Sequence, residues 1–181
     1  KLRNAYGLIR LPVPIDNPLF SNLFKTVLGE KYVTSDVIEL YYFIKNCDWK
    51  DVLKKLKEDS YRYALINHII KSKVSPDYFF LKSLLVLPKA LRFEIEEISD
   101  NNYPRYMNDL NYLYKEIIGL IEKINSKANG EDIDVLSFCD KNIKDDIEQL
   151  RYLVHALLVN GKISPLGRKP FWHWRGPGWA G

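Results

Sequence analysis

Sulfur-containing residues are scarce in this sequence, which has two Cys and one Met among its 181 residues. Cys47 and Cys139 lie far apart, and neither belongs to a Cys-x-x-Cys or Cys/His pattern with the spacing of a zinc site. The sequence therefore supports neither a structural zinc site nor a disulfide. We predict that both residues are reduced thiols on helices.

Long hydrophobic runs are also absent. No stretch approaches the ~18 consecutive apolar residues that a membrane-spanning helix needs. The N-terminal residues Lys1–Asn4 lead into proline-containing sequence and not into the apolar core of a signal peptide. We therefore expect no membrane partner and a location in the cytoplasm or in an organelle.

Neither sign of charge dominates the sequence. It has 27 Lys and Arg against 23 Asp and Glu, a formal net charge of +4, so a nucleic-acid-binding surface over the whole domain is not expected. If DNA binds, it must bind a local patch. The hydrophobic content of 46% is enough for one globular domain with a core, and it argues against disorder.

Two segments have the pattern of β-strands. Apolar residues alternate along Gly7–Phe20, and this segment is predicted to be an edge strand because Pro12 and Pro14 cannot donate backbone hydrogen bonds to a neighbour. A short buried strand is predicted at Leu84–Leu87, where four apolar residues precede a proline.

Helix signals dominate the rest of the first half. Helices are predicted over Val37–Lys45, from Trp49 onward with Asp48 as its N-cap, and over Tyr61–Lys71. His68 is interpreted as an ordinary helix residue, because no second metal ligand is placed near it. The predicted buried stripe of the second helix is Trp49, Val52, Leu53 and Leu56. The predicted fold class is therefore mainly α with short β elements.

The segment Asn108–Gly161 has the pattern of an antiparallel helical hairpin. Each arm carries one apolar stripe at spacings of three and four residues, and Ser126–Asp132 breaks the pattern between the arms. Asn160-Gly161 is a typical end signal for the second arm. The two stripes are Leu110, Leu113, Ile117, Leu120 and Ile124, and Ile143, Ile147, Leu150, Val154 and Leu157. On spacing alone, a simple core hairpin also explains this pattern.

Three blocks of sequence carry a more specific pattern. Gly7–Phe20 is similar to Gly-His-Ile-Glu-Leu-x-x-Pro-Val-x-His-Pro-Leu-Phe, with Leu8 and Asn17 at the two His positions. Ser75–Leu81 and Leu84–Arg92 are similar to Pro-Glu-Trp-Met-x-Leu and to Leu-Pro-Val-Ile-Pro-Pro-Asp-Leu-Arg. In the hairpin, residues 109–118 are similar to an Asp-Leu-Asn-x-Leu-Tyr run, and residues 149–161 to a return helix that ends in Asn-Gly. In this order, the blocks resemble the clamp region of the largest subunit (β′) of multisubunit RNA polymerases.

The resemblance implies a helical clamp domain with a projecting antiparallel helical hairpin, the clamp coiled coil. It divides the chain into a clamp body at 1–105, the hairpin at 106–161 and an atypical tail at 162–181. The implied function is holding DNA and docking a σ-like initiation factor, as part of DNA-directed RNA polymerase, which is a nucleotidyltransferase. The implied partners are the other polymerase subunits, that factor and DNA in the full complex. The implied location is cytoplasmic and nucleoid-associated, or an organellar or viral equivalent.

Cofactors are expected elsewhere in the full subunit. The family's Asp-x-Asp-x-Asp loop, which holds two Mg²⁺ ions, is not in this sequence, and neither are the zinc-ribbon cysteines that precede the first block. We therefore expect a fragment cut at both ends, with no catalytic residue, metal ligand or cofactor of its own and no activity alone.

The resemblance also implies a docking face for the σ-like factor on the outer sides of the hairpin. Its predicted residues are Asn111, Lys115, Glu116, Lys123, Lys144, Asp145, Asp146, Glu148 and Gln149. Several positions that are basic in the family are apolar or acidic here, and a divergent polymerase with a different initiation partner explains this difference.

The segment Ser164–Gly181 differs abruptly from the rest of the sequence, because aromatic and basic residues alternate with Gly and Pro. One hypothesis is a weak nucleic-acid-binding strip that stacks bases and contacts phosphate. The favoured interpretation is a truncated gene, a changed reading frame or a foreign extension. The basic residues of the strip hypothesis are Lys162, Arg168, Lys169 and Arg175.

Two alternative functions stay open. The first is a stand-alone helical adapter whose hairpin binds a partner helix, although an adapter has no reason to carry both Gly7–Phe20 and Leu84–Arg92 in this order. The second is a small nucleic-acid-binding protein that acts through Ser164–Gly181.

Overall fold

The computed structural model describes residues 7–88, 109–133 and 140–159. These residues form a mainly helical structure with a two-stranded antiparallel sheet, which confirms the predicted fold class at this level. The strands are β1 (Gly7–Asp16) and β2 (Phe80–Val86); the helices are α1 (Ser21–Leu28), α2 (Lys31–Thr34), α3 (Val37–Lys45), α4 (Trp49–Lys54), α5 (Tyr61–Ser72), α6 (Asp109–Ala128) and α7 (Lys141–Val159). Cys47 is a free cysteine as predicted, but it lies in the turn between α3 and α4 and not on a helix. Predictions that fall outside the described residues are those for Cys139, Asn160-Gly161, Lys162, Arg168, Lys169 and Arg175.

The sheet contains both predicted strands with two corrections. β1 ends at Asp16, because Asn17 caps a 3₁₀ turn at Pro18–Phe20. β2 is buried only at alternate residues, and Leu85 is exposed. β1 pairs with β2 in two runs, and the register shifts between Arg10 and Ile15. Pro12 and Pro14 lie in this irregular stretch, where their missing N–H groups cost no ladder hydrogen bond.

β2 begins earlier than predicted, at Phe80. Its first half contains the polar residues Lys82 and Ser83, so it does not form a continuous apolar run, but its side chains still alternate between buried and more exposed positions as in a strand.

Local capping fixes the helix starts in the first half. The side chains of Asp36, Asp48 and Ser60 each accept a hydrogen bond from a backbone N–H in the first turn of α3, α4 and α5. The predicted helices over Val37–Lys45, from Trp49 and over Tyr61–Lys71 are therefore confirmed, the last with one more residue. The predicted buried stripe of α4 is only half-buried, because this short helix lies at the edge of its core.

Two apolar cores organise the described residues. The helical core joins α1, α3 and α5 with the aromatic pair Phe79 and Phe80, and it includes Phe24, Leu40 and Ile66. The hairpin core joins the stripes of α6 and α7 with Ile15 of β1, Leu84 of β2 and Val37 of α3, as the following buried residues show: Ile117, Ile124, Ile143, Leu150 and Val154. The hairpin core therefore contains residues from both sides of the predicted boundary at 105/106.

The two halves of α7 have different surroundings. From Leu150 to Ala156 the helix is buried on almost every side, whereas Lys141, Asp145 and Gln149 near its start are exposed. The C-terminal half is thus embedded in the body, and the exposed part lies near the loop between α6 and α7. Within the described residues, no helix combines the length and apolar character that crossing a membrane requires.

Candidate functional site

A buried carboxylate lies at the end of β1. The side chain of Asp16 has no exposed surface, and an unpaired charge in such a place would cost several kcal/mol. Arg151 of α7 compensates this charge: its Nε lies 2.7 Å from Asp16 Oδ1, and its NH2 donates a hydrogen bond of 3.2 Å to Oδ2. The planar guanidinium thus contacts both carboxylate oxygens.

Two further side chains converge on Asp16. The Tyr32 hydroxyl donates to Oδ2 at 3.0 Å, and its ring lies under the Arg151 guanidinium, 5.7 Å from centroid to Cζ. His155 Nε2 lies 2.9 Å from the backbone carbonyl oxygen of Asp16. Because a carbonyl only accepts, Nε2 is assigned the proton. Among the described residues, nothing hydrogen-bonds to His155 Nδ1.

Arg151 also connects α7 to the start of α3. Its NH1 donates to the Ser35 carbonyl at 3.2 Å and to Glu148 Oε2 at 3.3 Å. Glu148 Oε1 in turn accepts from the backbone N–H of Val37 at 2.9 Å, which satisfies one of the unpaired amides at that helix start. We call Asp16, Tyr32, Glu148, Arg151 and His155 the ionic cluster.

The electrostatics of the ionic cluster keep its charges fixed. Burial would raise the pKa of Asp16, but the hydrogen bond from His155 and the charge of Arg151 outweigh it and lower this pKa to about 2. Burial would lower the pKa of Arg151, but Asp16 and Glu148 raise it above its usual range. Burial and Asp16 together raise the pKa of Tyr32 well above its usual range, so its hydroxyl remains a donor.

The ionic cluster positions helices and does not face a substrate. Asp16 and His155 have no exposed surface and Arg151 has 2%, so an external molecule cannot contact their reactive atoms in this conformation. The cluster instead holds α7 at a defined rotation against β1, α2 and α3. The described residues also contain no group of three or more His, Cys, Asp or Glu side chains that could hold a metal ion.

The predicted docking residues divide into two groups. Asn111 and Asp146 are buried, and Glu116 and Glu148 are half-buried. The exposed group is Lys115, Lys123, Lys144, Asp145 and Gln149, of which Lys144 also forms an ion pair of 2.8 Å with Asp36. The exposed residues are those that a partner could contact without rearrangement of the fold.

Asp146 links the two hairpin helices. Its carboxylate, with only 8% of the side chain exposed, lies 2.6 Å from Lys123 Nζ and 2.7 Å from Lys127 Nζ. Burial would raise the pKa of Asp146, but these two lysines lower it. Asp146 therefore has an internal role in addition to its predicted one.

Replacing Asp146 with Asn is expected to lower the free energy of unfolding by about 1 kcal/mol, because both ammonium groups lose a charged partner while remaining partly hydrated. Urea unfolding followed by circular dichroism measures this change. The control is Asp145→Asn, one position away and exposed, which should change stability by much less. Equal effects of the two substitutions would contradict the internal role.

Sequence reasoning missed Asp16, Tyr32 and Arg151. A signal for Arg151 was present, since it lies four residues after Ile147 and three before Val154, on the apolar stripe of α7. A charged residue on such a stripe indicates a buried ion pair. No sequence signal identified its partner, because Asp16 lies 135 positions away.

No protein-family model matches this chain, and no curated protein matches it at a significant level. The coarse class that the coordinates define is a mainly helical protein whose buried ionic cluster joins a small sheet to a helical hairpin.

Proposed function

We propose that this chain is the clamp region of the β′ subunit of a DNA-directed RNA polymerase, with the α6–α7 hairpin as its clamp coiled coil. The observation that supports this proposal is the convergence of the three resembling blocks in one core. β1 belongs to the first block, β2 to the second, and α6 and α7 to the third.

Specific polar contacts connect the same blocks. The Asp16 side chain of the first block contacts Arg151 of the third. The Tyr114 hydroxyl of the third block donates to the Leu85 carbonyl at 2.9 Å and accepts from the Leu87 N–H at 3.2 Å, both next to or within the second block's strand. These contacts place the three resembling segments in one structural unit, as the clamp proposal requires.

In this proposal the role of the chain is mechanical. The ionic cluster and the hairpin core hold the base of α7, so that the hairpin presents the exposed side chains of Lys115, Asp145 and Gln149 in a fixed orientation to a σ-like factor. The clamp as a whole would close over DNA, in the cytoplasm beside the nucleoid or in an organellar or viral equivalent. The chain lacks the catalytic Asp-rich loop, so none of its residues is given a step in nucleotidyl transfer.

The proposal predicts that the tagged chain captures polymerase from the lysate of its source. We expect wild type to recover polymerase subunits together with an initiation factor, identified by mass spectrometry. The Lys115→Glu, Asp145→Lys variant should recover the same subunits but at least tenfold less factor, because reversed charges disrupt polar docking without touching the core. Lys144 is left unchanged because it pairs with Asp36.

The matched control is Lys57→Glu, Asp59→Lys, which makes the same pair of charge changes at exposed positions of the body. It should behave as wild type. Recovery of no polymerase subunit by any of the three proteins would contradict the clamp assignment. Equal recovery of the factor by all three proteins would agree with the clamp assignment but would contradict the predicted docking face.

A further inference from the structure

An open cleft lies between the α3–α4 corner and the loop that follows α6. Its volume is about 890 Å³, which is within the size range of specific binding sites. Val27, Tyr42, Phe43 and Val52 supply apolar surface to the cleft, and Asp132 comes from the loop. None of the residues that line the cleft belongs to the ionic cluster or to the predicted docking set, although the charge of Glu39 helps to raise the pKa of Lys144.

The charge of this cleft is opposite to that of the whole chain. Among the described residues, the carboxylates of Glu39, Asp48, Asp51 and Asp132 line it together with the ammonium group of Lys55, and Lys54 forms an exposed ion pair of 2.8 Å with Asp51. The chain as a whole has a net charge of +4. A local negative potential in a positively charged protein selects a cationic partner and speeds its approach.

Two aromatic side chains add apolar contact area that water now covers. Tyr42 is 40% exposed and Phe43 is 48% exposed, and they are consecutive residues of α3 that both line the cleft. Large exposed aromatic side chains beside a cleft are typical anchors for protein partners, and their ring faces also attract cations.

We propose that this cleft binds a basic amphipathic helix of a partner protein, with apolar side chains against Tyr42 and Phe43 and Lys or Arg side chains against the carboxylate rim. A helix fits the lining because apolar and acidic side chains lie next to each other in the cleft. An apolar stripe flanked by basic residues also matches the two chemistries of the lining. The proposal does not depend on the polymerase assignment.

The probe for this site is a 14-residue peptide of Leu and Lys with helical periodicity, and its counterpart has Glu in place of Lys. Binding to the full chain is measured by fluorescence anisotropy, and chemical-shift changes locate it. We expect the Lys peptide to bind, to shift resonances of Tyr42 and Phe43, and to bind more weakly as salt is raised. The Glu peptide should not bind.

Matched variants test whether the cleft is responsible. Phe43→Ser should weaken binding at least tenfold, and Glu39→Gln with Asp51→Asn about fivefold. Asp48 is kept because it caps α4. The controls are Tyr61→Ser, at an aromatic residue that is 75% exposed outside the cleft, and Glu58→Gln with Asp59→Asn, both at exposed positions. All four proteins are first checked by circular dichroism.

Three results would overturn the proposal. The first is Lys-peptide binding that is equally strong in the Phe43→Ser and Tyr61→Ser variants, and the second is binding of the Glu peptide. The third is a dimer in sedimentation that Phe43→Ser abolishes, because the occupant would then be a second copy of the chain.

Discussion

Replacing Arg151 with Met is expected to lower the free energy of unfolding by about 3–5 kcal/mol, the largest effect of any exchange at the ionic cluster. The substitution leaves the Asp16 carboxylate without exposed surface and without its cation. It also removes the donor to the Ser35 carbonyl and to Glu148. Met fills much of the volume of the Arg side chain. The loss of unfolding free energy therefore comes mainly from the missing charge and not from a cavity. Urea unfolding followed by circular dichroism measures it.

The control is Lys54→Met, which removes the cation of an exposed ion pair with Asp51. That change should lower the free energy of unfolding far less than Arg151→Met, because water already solvates both groups. If the free energy of unfolding of Arg151→Met lies within about 1 kcal/mol of the wild-type value, the cluster does not stabilise the fold. In a double-mutant cycle, Asp16→Asn with Arg151→Met should cost less than the sum of the single changes, since each single change leaves one unpaired group.

The elements that the sequence predicted well are those whose signals are local. Asp36, Asp48 and Ser60 cap helices within three residues of themselves, and the apolar stripes of α6 and α7 repeat over five turns or so. Such signals need no knowledge of the tertiary structure. The bounds of α3 and the stripes of the hairpin were therefore predictable from sequence alone.

The elements that were missed depend on distant contacts. α1 and α2 are short and lack side-chain caps, and they are helical because Phe24 and Tyr32 pack into the helical core with Phe80. Isolated helices of this length are unstable in water, so tertiary packing and not propensity determines them. The register shift in β1 is equally invisible in the sequence, where alternation continues through Pro12 and Pro14.

The candidate site was predicted only in outline. The sequence identified the polar positions of the hairpin, but it could not separate exposed Asp145 from buried Asp146, because adjacent helix positions differ in burial only once the packing partner is known. Lys123 was predicted to contact a partner, yet its ammonium group pairs with Asp146, as does that of Lys127. Only the structure shows that the predicted docking residues Lys115, Asp145 and Gln149 have exposed side chains.

Lowering the pH from about 4 to about 2 is expected to remove roughly 2 kcal/mol of stability through Asp16 alone. The ordinary pKa of this carboxyl is 3.8, and in the folded chain it is about 2. Between these values the unfolded chain binds a proton that the folded chain does not. Asp16 therefore stabilises the fold above pH 4, and this contribution is lost as the pH falls toward the folded value. Urea unfolding at a series of pH values measures the slope of the free energy of unfolding against pH.

Variants separate Asp16 from the other carboxylates that titrate in the same range. Arg151 and His155 of α7 and Tyr32 of α2 are the titratable groups that face it. Asp16→Asn should remove most of the acid-dependent loss, and Tyr32→Phe should reduce it, because one donor to the carboxylate disappears while the charge remains. Asp51→Asn is the control, since Asp51 is exposed and its pKa is lowered by the exposed Lys54 and, to a smaller extent, by Lys55. A wild-type slope that persists in Asp16→Asn would assign the acid sensitivity to other groups, and Asp16 would then be a paired charge with little effect on the pH dependence of folding.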